Sequence, residues 1–300
     1  YLTGLRRPVL TQLQDRSRFE IGGGPGRIDP AVARAWVDRL IDYEQVMAEL
    51  LEPIKLICGY GTPPLELEFS KTMRMFDQES TQTAGSDLYR RAHEYPALLL
   101  TYACGLSSLT RRNFSMFRAA TEDARVSVGD GRVPFIAYSG AASIVGNWNY
   151  LGSLLCKRDE GTEIDDDLVD ALATGRVGNR YTPISDHLYT LLAPIFRDDF
   201  VSDDEYAEAF DKVEVLFDAI GADSRATMRY FGGHGGYGRY TWRHRHSEST
   251  PEAELMKELE SSGAGWSPLL GGLFGGSSER AGAALRVVSE NAEAVRRSRF

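Results

Sequence analysis

Along most of the chain, apolar residues recur every three or four positions, the period of a helix with one face buried. Between 29 and 59 the stripe is Ala33, Trp36, Leu40, Tyr43, Met47, Leu50 and Ile54, and Asp29-Pro30 supplies the cap and first-turn proline that start it. Thr62-Pro63 opens the next helix, with Leu65, Phe69, Met73 and Phe76 on its apolar face. Residues 86–124 predict an antiparallel helical hairpin: a short helix opened by Ser86 stops before Pro96, 96–109 is strongly apolar, and Phe114, Phe117 and Ala120 follow a turn at Thr110-Arg111-Arg112. In the second half, Asp165–Ala173 reads as a short helix closed by Gly175. Thr182-Pro183 starts another that Pro194 kinks or ends. Ser202-Asp203-Asp204-Glu205 forms a capping box before Tyr206, Phe210, Val213, Phe217 and Ile220, and Gly221 is the expected stop. Further helices are expected at 251–261 and 278–298, the last capped by Ser277 and ending in Arg296, Arg297 and Arg299, which suits the negative end of its dipole.

The one change of character falls at 225–247, which is Gly-rich, aromatic and basic, and Arg239 to His246 reads as extended. The pattern therefore predicts a mainly α fold, an irregular multi-helix bundle or α-hairpin array, with a small extended (β-hairpin-like) insertion near 229–247. Three regions are expected: a linker and joining helix at 1–28, an N-terminal helical subdomain at 29–160, and a C-terminal helical subdomain at 161–300 holding the Gly/Arg/aromatic insertion at 225–248. Val133–Cys156 runs 24 residues without a charge, but only 15 of them are hydrophobic, and Gly140, Gly146, Asn147 and Asn149 interrupt the run. A helix or helix pair buried in the core fits this better than a membrane span.

Composition narrows the classes. The chain has 300 residues, 42% hydrophobic and 26% charged, and a net charge of −9. This excludes a disordered tail, a fibre or a disulfide-dense scaffold, and it gives no global attraction to nucleic acid or anionic lipid. Cys58, Cys104 and Cys156 lie far apart in apolar contexts, so buried reduced thiols and a cytoplasmic, reducing compartment are expected. The chain starts at Tyr1 without a Met or a signal peptide, which suggests a piece of a longer polypeptide.

Candidate chemistry concentrates in the same unusual segment. Arg229, Arg239, Tyr240, Trp242, Arg243 and Arg245 bring together the residue types that dominate binding hot spots, and they form the expected contact surface. Stacking on a single strand of nucleic acid is open to such a surface but is not the favoured use. His244 and His246 would share one face of a strand, so with His234 they are the alternative metal set, although Arg243 and Arg245 flank the pair with positive charge. Arg-x4-His occurs twice, at Arg229–His234 and Arg239–His244. This is the spacing of HEPN-type ribonucleases, with Arg239 and His244 as the alternative catalytic pair. Gly22–Gly26 lacks the lysine and preceding strand of a phosphate loop and reads as a linker. Asp165-Asp166-Asp167 and Asp203-Asp204-Glu205 read as first-turn caps. No cofactor is expected.

Four phrases, in order, carry a resemblance: Tyr95-Pro96-Ala97-Leu98-Leu99-Leu100-Thr101-Tyr102-Ala103-Cys104-Gly105-Leu106; Tyr181-Thr182-Pro183-Ile184-Ser185-Asp186-His187-Leu188; Asp203-Asp204-Glu205-Tyr206 with Phe210-Asp211; and Gly271-Gly272-Leu273-Phe274-Gly275-Gly276-Ser277. Over residues 95–298 the chain resembles the helical C-terminal regions of large bacterial conflict or anti-phage proteins, whose N-terminal domains are sirtuin-like or other nucleotide-handling effectors. The matching positions are packing residues and caps, so no catalytic residues transfer. The resemblance implies a non-catalytic sensor, regulatory or assembly module serving an effector domain upstream in the same polypeptide, with a protein partner or self-association and no membrane contact.

Overall fold

The computed structural model describes residues 2–15, 28–81, 87–128, 131–228 and 238–298. The chain folds as α1 (Leu2–Leu13), α2 (Pro30–Tyr60), α3 (Pro63–Thr81), α4 (Asp87–Ala92), α5 (Tyr95–Arg111), α6 (Phe114–Thr121), a two-stranded hairpin of β1 (Arg125–Val128) and β2 (Gly131–Pro134), then α7 (Phe135–Tyr138), α8 (Ala141–Val145), α9 (Asn149–Asp159), α10 (Asp166–Ala173), α11 (Pro183–Phe196), α12 (Asp203–Met228), α13 (Tyr240–Arg243), α14 (Pro251–Ser262), α15 (Ser267–Leu270) and α16 (Ser278–Arg297). The fold is mainly α, with one small antiparallel hairpin.

Local chemistry accounts for most boundaries. Asp29, Asp165 and Ser277 each accept a backbone N–H from the residue three positions on, the N-cap geometry their spacing implied. Ser202 accepts from the Glu205 N–H while Glu205 accepts from that of Val201. At the end of α5, Arg112 takes a left-handed conformation (φ 55°) and turns the chain into α6 at the position expected.

Three details differ from expectation. The small hairpin lies at 125–134, where Val126 pairs with Val133 and both are buried; residues 240–243, read as extended, form the helical turn α13. Alternation of aromatic and basic residues resembles a strand, but here Arg239, Arg243 and His244 must reach one point, which a turn allows and a strand does not. Helix α12 also runs past Gly221 to Met228. A Cβ at Gly221 would lie 3.9 Å from Ala137 of α7, an ordinary contact, and the helix continues through this glycine where α12 packs on α7. The charge-free run 133–156 is divided among the end of β2 and the helices α7, α8 and α9. Among the described residues no helix is long and apolar enough to cross a membrane.

Helix α2 packs along α5, α9 against α11, and α12 against α5, α7, α14 and α16. One buried apolar cluster extends from α1 to α16 and includes Trp36, Phe117, Phe196, Phe210 and Phe274. The α5–α12 crossing is tight: a side chain at Gly105 would meet Val213 at 2.7 Å and Phe217 at 2.9 Å. Phe217 in turn packs on Tyr102 and Phe117 with ring centroids 5.2 and 5.4 Å apart. All three cysteines are free and buried, and burial pushes the Cys156 thiol up to about 12.

Candidate functional site

The face of α12 turned toward α11 and α13 carries Asp211, Glu214 and Asp218, at i, i+3 and i+7. Carboxylates are seldom so deep in a core unless they are paired. Asp211 is fully buried, and its Oδ2 accepts from Arg243 Nη1 and from His244 Nε2, each at 2.8 Å. Arg239 approaches its other oxygen, with Nε 3.7 Å from Oδ1. The Arg239 guanidinium lies 3.5 Å above the Tyr189 ring, a cation–π contact that holds it flat against α11. Three cationic or ionisable side chains thus converge on one buried aspartate.

The neighbouring carboxyl is held differently. Glu214 Oε1 accepts from Ser185 Oγ at 2.5 Å and from the Tyr102 hydroxyl at 2.9 Å, while Ser185 Oγ accepts the Arg239 backbone N–H at 2.9 Å. Burial dominates and holds the Glu214 carboxyl up at about 8, although the Ser185 bond works against the rise. A Cβ on Gly238 would collide with this carboxyl, so only glycine lets the backbone cross there. One turn further along, Asp218 accepts from the Tyr240 hydroxyl at 2.6 Å, and burial raises it to about 7. Asp211 Oδ1, Glu214 Oε2, and Nε and Nη1 of Arg239 have no hydrogen-bond partner among the described residues.

The six residues expected to make a contact surface therefore divide. Arg239, Tyr240 and Arg243 point inward, to Tyr189, Asp218 and Asp211. Trp242 is 41% exposed, with the Tyr181 ring centroid 5.9 Å away and the Arg245 guanidinium 3.9 Å from the Trp242 ring centroid. Arg229 lies outside the described residues. Arg239 and His244 are brought together around Asp211, with His244 Nε2 2.8 Å from its Oδ2 and Arg239 Nε 3.7 Å from its Oδ1. His234 also lies outside the described residues. Arg245 Nε donates to His246 Nε2 at 3.1 Å, and among the described residues no three His, Cys, Asp or Glu side chains are grouped to hold a metal.

A second network escaped the sequence reading altogether. His187 is buried on α11, with Nδ1 2.6 Å from Asp159 and Nε2 2.7 Å from Glu44; Glu44 Oε1 also accepts from the Tyr95 hydroxyl at 2.8 Å. Burial alone would lower the histidine, yet the two carboxylates outweigh it and raise the group to about 9. Charged His187 is therefore clamped between two acids. These four residues come from α2, α5, α9 and α11, so no local spacing could have shown them. By contrast, Asp211, Glu214 and Asp218 were visible as acids at helical spacing within an apolar stripe.

No protein-family model matches the chain, and neither the curated proteins nor the solved structures yield a match.

Proposed function

We propose that this chain is a non-catalytic helical regulatory or assembly module that works by binding a protein partner. The observation that carries the reading is the mounting of the exposed Trp242–Arg245 pair. Asp211 pins Arg243 and His244, the two residues between that pair in sequence, so the turn is held before any partner arrives. Trp and Arg are the side chains most enriched at binding hot spots, and pre-organising them lowers the entropy lost on association. The histidines and arginines that could serve catalysis are engaged by carboxylates, which favours a scaffolding role for them. An effector domain elsewhere in the same polypeptide extends this reading and rests on the resemblance of residues 95–298 alone.

Photo-crosslinking tests it directly. With p-benzoylphenylalanine at position 242 in the natural full-length polypeptide, crosslinks should map to one defined protein surface and disappear in Arg245→Ala, with helical circular dichroism unchanged. Absence of any protein crosslink would remove the assignment. So would cleavage of RNA by the purified chain that is lost in His244→Ala.

A further inference from the structure

A groove of about 620 Å3 opens between α12 and α14 and is closed at its ends by the α5–α6 turn and residues 265–268. We infer that this groove docks a basic amphipathic helix presented by a protein partner. The inference rests on the partner-binding reading and names a site and a partner chemistry that Trp242 and Arg245 do not.

The groove belongs to a different side of α12 from the aspartate hub. Glu205, Glu208, Ala209 and Lys212 line it at helical spacing, and at 100° per residue they lie roughly 135° around the axis from Asp211, Glu214 and Asp218. Its volume falls within the range of real binding clefts, and its apolar surface comes from Leu109, Phe114, Ala209, Leu255 and Trp266. Two walls of helix leave a trough of the kind that a third helix fills by ridges-into-grooves packing. Exposed apolar side chains adjoin the lining segments in sequence. Val201, next to the lining Phe200, is 92% exposed, and Leu270, two residues after Pro268, is 73% exposed. An occupant that covers both is longer than a small molecule.

Charge identifies the flank of that helix. Glu205, Glu208 and Glu258 line the cleft, with Glu254 just behind; against these four stand Lys212 and Arg112. Lys212 is already held by Glu254 at 3.0 Å and Glu258 at 3.2 Å, and Arg112 reaches across to Ser267 Oγ at 2.8 Å. Glu208 is exposed and has no ion pair among the described residues. The excess is negative, so Lys or Arg flanking an apolar face is the complementary partner. The buried indole N–H of Trp266 has no acceptor among the described residues.

The test uses the whole chain and a fluorescein-labelled synthetic Leu/Lys amphipathic helix, beside the same peptide with Glu in place of every Lys. The Lys peptide should bind saturably and the Glu peptide should not. Ala209→Trp, which fills the cleft, and the exposed double reversal Glu208→Lys/Glu258→Lys should each weaken the Lys peptide by at least about tenfold. The reversal should also gain affinity for the Glu peptide, whereas Glu279→Lys/Glu290→Lys on α16 should change nothing. Equal weakening by the α16 pair would mean a general charge effect and overturn the site. A chain dimer that Ala209→Trp dissociates would give the groove to a second copy. Uptake of anilinonaphthalene sulfonate without peptide binding would give it to a small ligand. Either result overturns the inference while leaving the crosslinking test at position 242 to decide the wider reading.

Discussion

On one side of α11, His187 has both ring nitrogens bonded to carboxylates, and one of those carboxylates is tied to Tyr95. On the other side, Ser185 leads to Glu214, Arg239 and Asp211, where four buried polar atoms have no partner among the described residues. Both networks lie in the same core, two residues apart along one helix. The first joins four helices from distant parts of the sequence and is closed, as a structural clamp should be. The second joins α11 and α12 to a turn whose outer face displays Trp242 and Arg245. Among the described residues the second network is therefore the less completely bonded of the two. Incomplete satisfaction is the expected mark of a region shaped by something other than stability.

The sharpest way to break the comparison is Asp211→Ala. It strands Arg243 and His244 against a buried face, and removing one member of such a set costs about 3–5 kcal/mol. For a chain this long the thermal midpoint, read by circular dichroism, should fall by about 5–8 °C. If the change were near zero, the hub would not hold the turn.

His187→Leu attacks the closed network and leaves Glu44 facing Asp159 without the cation between them. A loss of about 3 kcal/mol is expected, visible in urea unfolding. A smaller effect than this at His187, together with a large one at Asp211, would reverse the assignment of clamp and mount.

Gly238→Ala should cost about 1–3 kcal/mol, because the new methyl meets the Glu214 carboxyl and neither backbone nor core can move freely.

The two networks also titrate. Glu214, ordinarily near 4.5 and held at about 8, binds its proton more tightly when folded. Its contribution is therefore full at low pH and fades as pH rises through 8. Asp218 acts in the same sense, fading through about 7. His187, ordinarily near 6.5, contributes fully below that value and loses its contribution as pH rises through about 9. The thermal midpoint should accordingly decline by several degrees from about pH 6 to about pH 9. Glu214→Gln should flatten the lower part of that decline and His187→Gln the upper part. A midpoint that rises over this interval would contradict both.

The smallest effect belongs to the exposed pair. Trp242→Ala/Arg245→Ala should change stability by no more than about 0.5 kcal/mol, because neither side chain is in the core. A large destabilisation would turn the pair from a contact surface into packing.

The periodic stripes of α2, α3 and α12, the caps at Asp29, Asp165 and Ser277, and the turn at Arg112 follow from residues within a few positions of one another. These features are written in the sequence because helix period and capping are local physics. The tilt of residues 238–247 is not local. It depends on the buried carboxylate of Asp211, which bonds Arg243 and His244 from about thirty residues away. The same is true of His187, whose partners stand 143 and 28 residues away, and of the groove, whose walls come from three separated segments. Which helix faces meet is settled by packing over the whole molecule, and only that packing decided which charged side chains are buried together and which are left to face a partner.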